Sequence, residues 1–105
     1  MLRCTAPFVV GLFLVLSGCC DSASIPDHIE ALSSQVAKER NHAALKLGRC
    51  GDKAARAVPL LERLLYDENV GVQSSAAYAL RTIDTPAARR IMERIDRERR
   101  AKRGG

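Results

Sequence analysis

Arg40-Asn41-His42-Ala43-Ala44-Leu45-Lys46-Leu47-Gly48-Arg49-Cys50-Gly51-Asp52-Lys53-Ala54-Ala55 returns 33 residues later as Gln73-Ser74-Ser75-Ala76-Ala77-Tyr78-Ala79-Leu80-Arg81-Thr82-Ile83-Asp84-Thr85-Pro86-Ala87-Ala88. Ala43 falls on Ala76, Ala44 on Ala77, Leu47 on Leu80, and Ala54-Ala55 on Ala87-Ala88. Small and large apolar positions therefore recur together, and a fixed period between 20 and 50 residues marks units that stack on one another. Followed upstream, the same offset places Ile25-Pro26 on Val58-Pro59, Leu32 on Leu65 and Ser34 on Asp67, a third and partial copy.

The apolar spacing within each copy is helical. Ile25, Ile29 and Leu32 share one face of a first helix. A second is expected from about Val36 to Gly48, with Ser34 as its cap and Gly48 as a left-handed C-terminal residue. A third is expected from Lys53 to Tyr66, opened by Asp52 and kinked at Pro59, since proline in a helix interior clashes with the preceding turn. A fourth runs from Val70 to about Thr82, capped by Asp67 or Asn69. Thr85 then caps a fifth, with Pro86 at its first position, where a missing N–H does no harm. Its apolar positions, Ala87, Ala88, Ile91, Met92 and Ile95, stop before residue 97. The reading is all-α, a short α-solenoid of about two and a half helix pairs, five helices in all.

The N-terminus differs in kind. One basic residue, Arg3, precedes an unbroken apolar run from Ala6 to Leu16 and the small pair Ser17-Gly18, the pattern of a secretory signal peptide. The run is too short to span a bilayer, which takes about 20 apolar residues. Leu16-Ser17-Gly18-Cys19 resembles the lipobox of bacterial lipoproteins, which implies removal of residues 1–18 and lipid attachment at Cys19. The expected organisation is therefore a leader over 1–18, a tether over 19–24, a repeat domain over 25–96 and a frayed basic tail over 97–105. Several acyl chains on one cysteine hold a protein to a membrane where one chain does not. The resemblance places the protein in a bacterial cell envelope, facing the periplasm or the exterior. Cys4 leaves with the leader, and export permits Cys20 and Cys50 to pair, although spacing does not dictate that they do. Cys50, on the offset of Ile83, also reads as a small core residue.

Arg40-x-x-Ala43-Ala44-x-x-Leu47-Gly48-x-Cys50-Gly51-Asp52, then Ala57-Val58-Pro59-Leu60-Leu61, then Asp67-x-x-x-x-Val72-Gln73-x-x-Ala76-Ala77-x-Ala79-Leu80, resembles the bacterial HEAT-like repeats, including those related to phycobilisome lyases. The resemblance implies antiparallel helix pairs in a right-handed solenoid whose second helices line a binding face. It also implies a ladder of turn aspartates and second-helix arginines, of which only Arg40 and Asp67 have the matching types in successive units. Arg40 is therefore expected to reach Asp67. Arg81 and Asp84 stand where glycines are usual, which suits a terminal unit. So few units also make self-association an expectation.

The chain carries 17 basic and 12 acidic residues, a net charge of +5. From Arg89 to Arg103 there are eight basic and three acidic residues, so the excess lies at one end. A nucleic-acid platform is disfavoured, because both phenylalanines lie in the leader and only Tyr66 and Tyr78 remain for base stacking. His28 and His42, 14 residues apart, carry no zinc-ligand spacing. The glycines of Gly48-Arg49-Cys50-Gly51-Asp52 lack the lysine and hydroxyl residue of a phosphate loop. No catalytic residue, metal ligand or cofactor is assigned. The expected function is a protein-interaction or scaffold module. Its partner-binding candidates are Lys38, Asn41, Leu45 and Arg49 on one helix and Ser74, Tyr78 and Arg81 on the equivalent one. The alternatives are an accessory or lyase-type enzyme component, implied by the resemblance, and a basic adaptor for anionic surfaces through Arg97, Arg99, Arg100, Lys102 and Arg103, since polybasic segments are drawn to anionic headgroups.

Overall fold

A computed structural model describes residues 20–104 of the chain. Among these residues the α-helices are α1 (Ile25–Ala31), α2 (Ala37–Arg49), α3 (Val58–Leu64), α4 (Val70–Ile83) and α5 (Pro86–Gly104). Short 3₁₀ segments, Ser22–Ser24 and Gly51–Ala57, precede α1 and α3. The all-α solenoid of helix pairs is the fold the repeat predicts. Cys19, the expected site of lipid attachment, and the expected leader over 1–18 lie outside the described residues.

The elements start and stop for local reasons that the 33-residue offset repeats. Ser34 and Asp67, equivalent residues, each accept a backbone N–H two residues on: Val36 N donates to Ser34 Oγ at 3.0 Å, and Asn69 N donates to Asp67 Oδ2 at 2.9 Å. These side-chain turns fix the chain's entry into the second helix of each pair. Asn69 caps α4 by accepting from Val72 N at 3.1 Å. Ser34 acts two positions earlier than a cap, because Val36 occupies the capping position of α2. Thr85 Oγ1 accepts from Ala88 N at 3.2 Å, the expected cap of α5.

Pro59 does not kink a continuous helix. It lies in the first turn of α3, and Pro26 lies in the first turn of α1, where neither an N–H nor a preceding turn is required of them. The bend falls earlier, at Ala54, whose φ of −96° and ψ of 22° interrupt the helical geometry. Asp52 makes no capping hydrogen bond there.

Gly48 is not the left-handed terminal residue either. It is a buried residue inside α2, and the left-handed positions are Gly51 at φ 59° and Asp84 at φ 53°. Those two are equivalent under the offset, so the backbone of the repeat is kept where the side chain is not.

The central contact is α2 against α4. Ser75 Oγ donates to Asn41 Oδ1, and Thr82 Oγ1 donates to the Gly48 carbonyl at 2.9 Å. Both pairs are 34 residues apart, so the two helices run parallel and in register. A Cβ at Gly48 would stand 2.9 Å from Tyr78 Cε2, 3.0 Å from Thr82 Oγ1 and 3.1 Å from Ala79 Cα. Glycine thus lets the α4 backbone close on α2. Ala43, Ala44, Ala54, Ala57, Ala76, Ala79 and Ala88 are fully buried for the same reason, with Leu47, Leu61, Leu80 and Val72 filling the larger spaces.

Two covalent or extended features complete the frame. Cys20 and Cys50 form a disulfide with Cα atoms 4.8 Å apart, which closes the pairing the sequence leaves open. Cys50 is also buried, as its place on the Ile83 offset predicts. The C-terminal residues are not a frayed tail: α5 continues to Gly104, nine residues past its last buried side chain, Ile95. Arginine, glutamate, lysine and alanine are strong helix formers, and Arg94 pairs with Glu98 at one-turn spacing, which carries the helix beyond its apolar face.

Candidate functional site

The only ladder rung expected from sequence is present among the described residues. Arg40 Nε donates to Asp67 Oδ1 at 2.9 Å, Nη2 donates to Oδ2 at 3.0 Å, and Nη1 donates to the Ser34 carbonyl at 2.8 Å. The guanidinium therefore fixes the turn of its own unit and the turn of the next with one planar fork. Its side chain is 9% exposed and that of Asp67 8%. The hydrogen bond from Arg40 holds the Asp67 carboxyl below its ordinary range, against the opposing effect of burial, with the Asn69 N–H adding in the same direction. The same bond raises Arg40. Gln73, at the place of Arg40, keeps half of this arrangement: its Nε2 donates to the Asp67 carbonyl at 2.6 Å, as Arg40 does to the Ser34 carbonyl. It has no charge to offer a following turn.

With the turns locked, α2 and α4 present their outward sides together. Lys38, Arg49, Ser74, Tyr78 and Arg81 are exposed, and Asn41 and Leu45 are half-buried. The seven residues proposed from sequence thus lie along two neighbouring parallel helices. They do not all remain available, because Asn41 is spent on Ser75. Tyr78 is 41% exposed although its ring covers Gly48, so it is both a packing residue and a surface one. Lys38, Arg49 and Arg81 give the face a cationic character. The nearest carboxylate to Arg81 is Asp96 at 3.9 Å, with both side chains about half exposed, where such pairs contribute little. Arg81 also occupies the place of Gly48. The outer side of α4 therefore carries a long cation where α2 carries no side chain.

Apart from the exposed Arg90, the basic residues of α5 divide into two groups. Arg89 bonds to the Asp84 carbonyl at 2.8 Å and pairs with its carboxylate at 3.1 Å, while Arg94 bonds to Glu62 at 2.5 Å and so ties α5 to α3. Glu62 raises Arg94 through that bond. Arg97, Arg99, Arg100, Lys102 and Arg103 are exposed and have no ion-pair partner among the described residues. Arg99 and Lys102 also border a groove floored by Leu65 and Ile95 and rimmed by Tyr66 and Gln73.

One pairing escaped the sequence reading. His28 and His42, 14 residues apart and on different helices, come together with ring centroids 6.2 Å apart. The connection between α1 and α2 turns the helices back on each other, and in such a hairpin the sum of facing residue numbers is roughly constant; that signal was available. Cys50, by contrast, is no thiol nucleophile while it is bonded to Cys20.

Stacked antiparallel helix pairs with parallel second helices, joined at their turns by an arginine–aspartate rung, define an α-solenoid. Residues 25–103 match the family of HEAT repeats, and the chain belongs to that family. Comparisons with curated proteins and with solved structures gave no match. Proteins built from such repeats use their continuous helical surfaces for binding, and the fold by itself prescribes no reaction.

Proposed function

We propose that this protein is a lipid-anchored module of a bacterial envelope that holds a protein partner on the α2–α4 face and performs no catalysis. The observation that carries the reading is Tyr78: a large aromatic side chain 41% exposed on a locked helical face that also carries the half-buried Leu45 and the cations Arg49 and Arg81. Amphipathic aromatics and arginines are the residues that most often anchor protein interfaces. The surrounding charges suit a partner segment with carboxylates. The anchor reading rests on Leu16-Ser17-Gly18-Cys19. Among the described residues no helix is long and apolar enough to cross a membrane.

Capture from solubilised envelopes tests this, comparing the parent with Tyr78→Ala and with Arg49→Glu. Both variants are expected to lose the same partner. An unchanged partner list in both would place the interface elsewhere. Labelling with a radioactive fatty acid tests the anchor separately, since Cys19→Ala is expected to abolish incorporation.

The extension of α5 favours a second reading, an adaptor for anionic surfaces. Arg97, Arg99, Arg100, Lys102 and Arg103 stand on a helix beyond the core, and basic residues near an anionic membrane contribute about 1 kcal/mol each. Unlipidated protein is expected to bind vesicles containing phosphatidylglycerol and to be released by salt. Equal binding to neutral vesicles would refute it.

A further inference from the structure

His28 on α1 and His42 on α2 are the two histidines of the chain, and the hairpin sets their rings 6.2 Å apart with planes at 67°. They stand in an open groove that Ala31, Lys38, Asn41 and Leu45 also line. His42 is exposed and His28 half-buried. We propose that His28 and His42 form a two-imidazole binding site for a divalent transition-metal ion.

The spacing fits one ion between the rings. An imidazole nitrogen binds zinc at about 2.1 Å, which puts a ring centre about 3.2 Å from the ion; two such rings lie about 5 Å apart at a tetrahedral angle and about 6.4 Å apart when opposite. The 6.2 Å separation lies close to the opposed limit, so reaching the tetrahedral angle takes a closure of about 1 Å by the exposed His42 ring. Imidazole donors select zinc, copper and nickel over magnesium and calcium, which prefer oxygen.

The protonation state suits the same ligand. Burial holds His28 below the ordinary imidazole range; His42 and Lys46 add to the shift, and Asp27 and Asp21 oppose it. At neutral pH His28 is therefore uncharged, the form that coordinates a metal. No group of three or more His, Cys, Asp or Glu converges on an ion among the described residues. The chain supplies two ligands, and the remaining coordination positions belong to water or to a donor on another molecule. Such a site is open, unlike the four-ligand sites that hold folds together.

The test is a zinc titration of the full, untagged chain in detergent, with its disulfide intact and free thiols alkylated, followed by calorimetry. One zinc per chain is expected, bound at pH 7.5 and released on acidification, as protons compete with the metal for the imidazole nitrogens. His28→Gln and His42→Gln are each expected to weaken binding about tenfold or more, while circular dichroism shows the helices unchanged. Zinc is expected to raise the thermal midpoint of the parent and to leave that of the double variant where it was, because binding to the folded state alone stabilises it. Zinc affinity equal in the parent and the double variant overturns the proposal, as does binding of calcium as tight as that of zinc.

Discussion

The Cys20–Cys50 disulfide allows the firmest quantitative prediction. It joins residues 30 apart in sequence and encloses α1, the following turn and all of α2. In the chain-entropy description, a cross-link closing a loop of about 30 residues lowers the entropy of the unfolded state by about 12 cal/mol/K, equivalent to about 3.7 kcal/mol at 25 °C. An ordered region of about 85 residues unfolds with an entropy of about 0.18 kcal/mol/K, so that loss corresponds to a midpoint about 20 °C lower. A domain of that size is stable by only about 4–13 kcal/mol, so the bridge accounts for a large share of it. The perturbation is Cys20→Ala with Cys50→Ala, which trims one buried sulfur and leaves the small apolar character of the Cys50 site intact. Thermal unfolding followed at 222 nm is the assay, with the parent under a phosphine reductant as an independent route to the same state. Both are expected to fall by a similar amount. A shift of less than about 5 °C in the double variant, with the parent indifferent to reductant, would refute the reasoning and leave packing alone to hold the first helix pair.

Four further outcomes follow from the turns and the helix contact. Asp67→Asn and Arg40→Lys are each expected to lower the thermal midpoint, because either change breaks the planar two-bond fork that Arg40 makes with Asp67. The folded-state Asp67 carboxyl lies below its ordinary value, so its contribution is complete above about pH 4 and fades as pH falls through the lowered value; Asp67→Asn is expected to flatten that part of an acid-unfolding curve. Gly48→Leu is expected to destabilise by at least about 1–3 kcal/mol in chemical denaturation, since the added atoms meet the α4 backbone at Ala79. Asp84→Gly is expected to leave stability equal or raise it by up to roughly 1 kcal/mol, as glycine relieves the left-handed backbone while the exposed pair with Arg89 is given up.

The repeat offset made the helices and the Arg40–Asp67 rung legible, because both depend on residue types recurring at equal spacing. It did not assign Gly48 correctly. Gly48 stands at the end of the apolar pattern and so reads as a terminator, yet its equivalent is Arg81, a residue ill suited to a left-handed backbone. Gly51 is equivalent to Asp84, and aspartate tolerates that conformation. Comparing side-chain types at the offset, rather than position along the helix, separates a glycine needed for its backbone from one needed for its missing Cβ. Pro59 misled for a similar reason: the sequence places it inside a helical pattern, and only the bend at Ala54 makes it a first-turn residue. The histidine pair and the reach of α5 depend on contacts and on charge-bearing helix formers, neither of which an apolar periodicity records. The division of the surface among possible partners is legible in neither the period nor the fold, because exposed side chains are free of the packing that disciplines the core.

The sulfur bridge also decides how the domain carries load. A pull applied on the N-terminal side of residue 20 enters Cys20 and passes through the disulfide directly to Cys50, at the end of α2. The chain from residue 21 to residue 49 forms a side branch outside that path. Traction would therefore reach the 51–57 segment and α3 without first peeling α1 or α2 away, and the first helix pair would be sheltered from force.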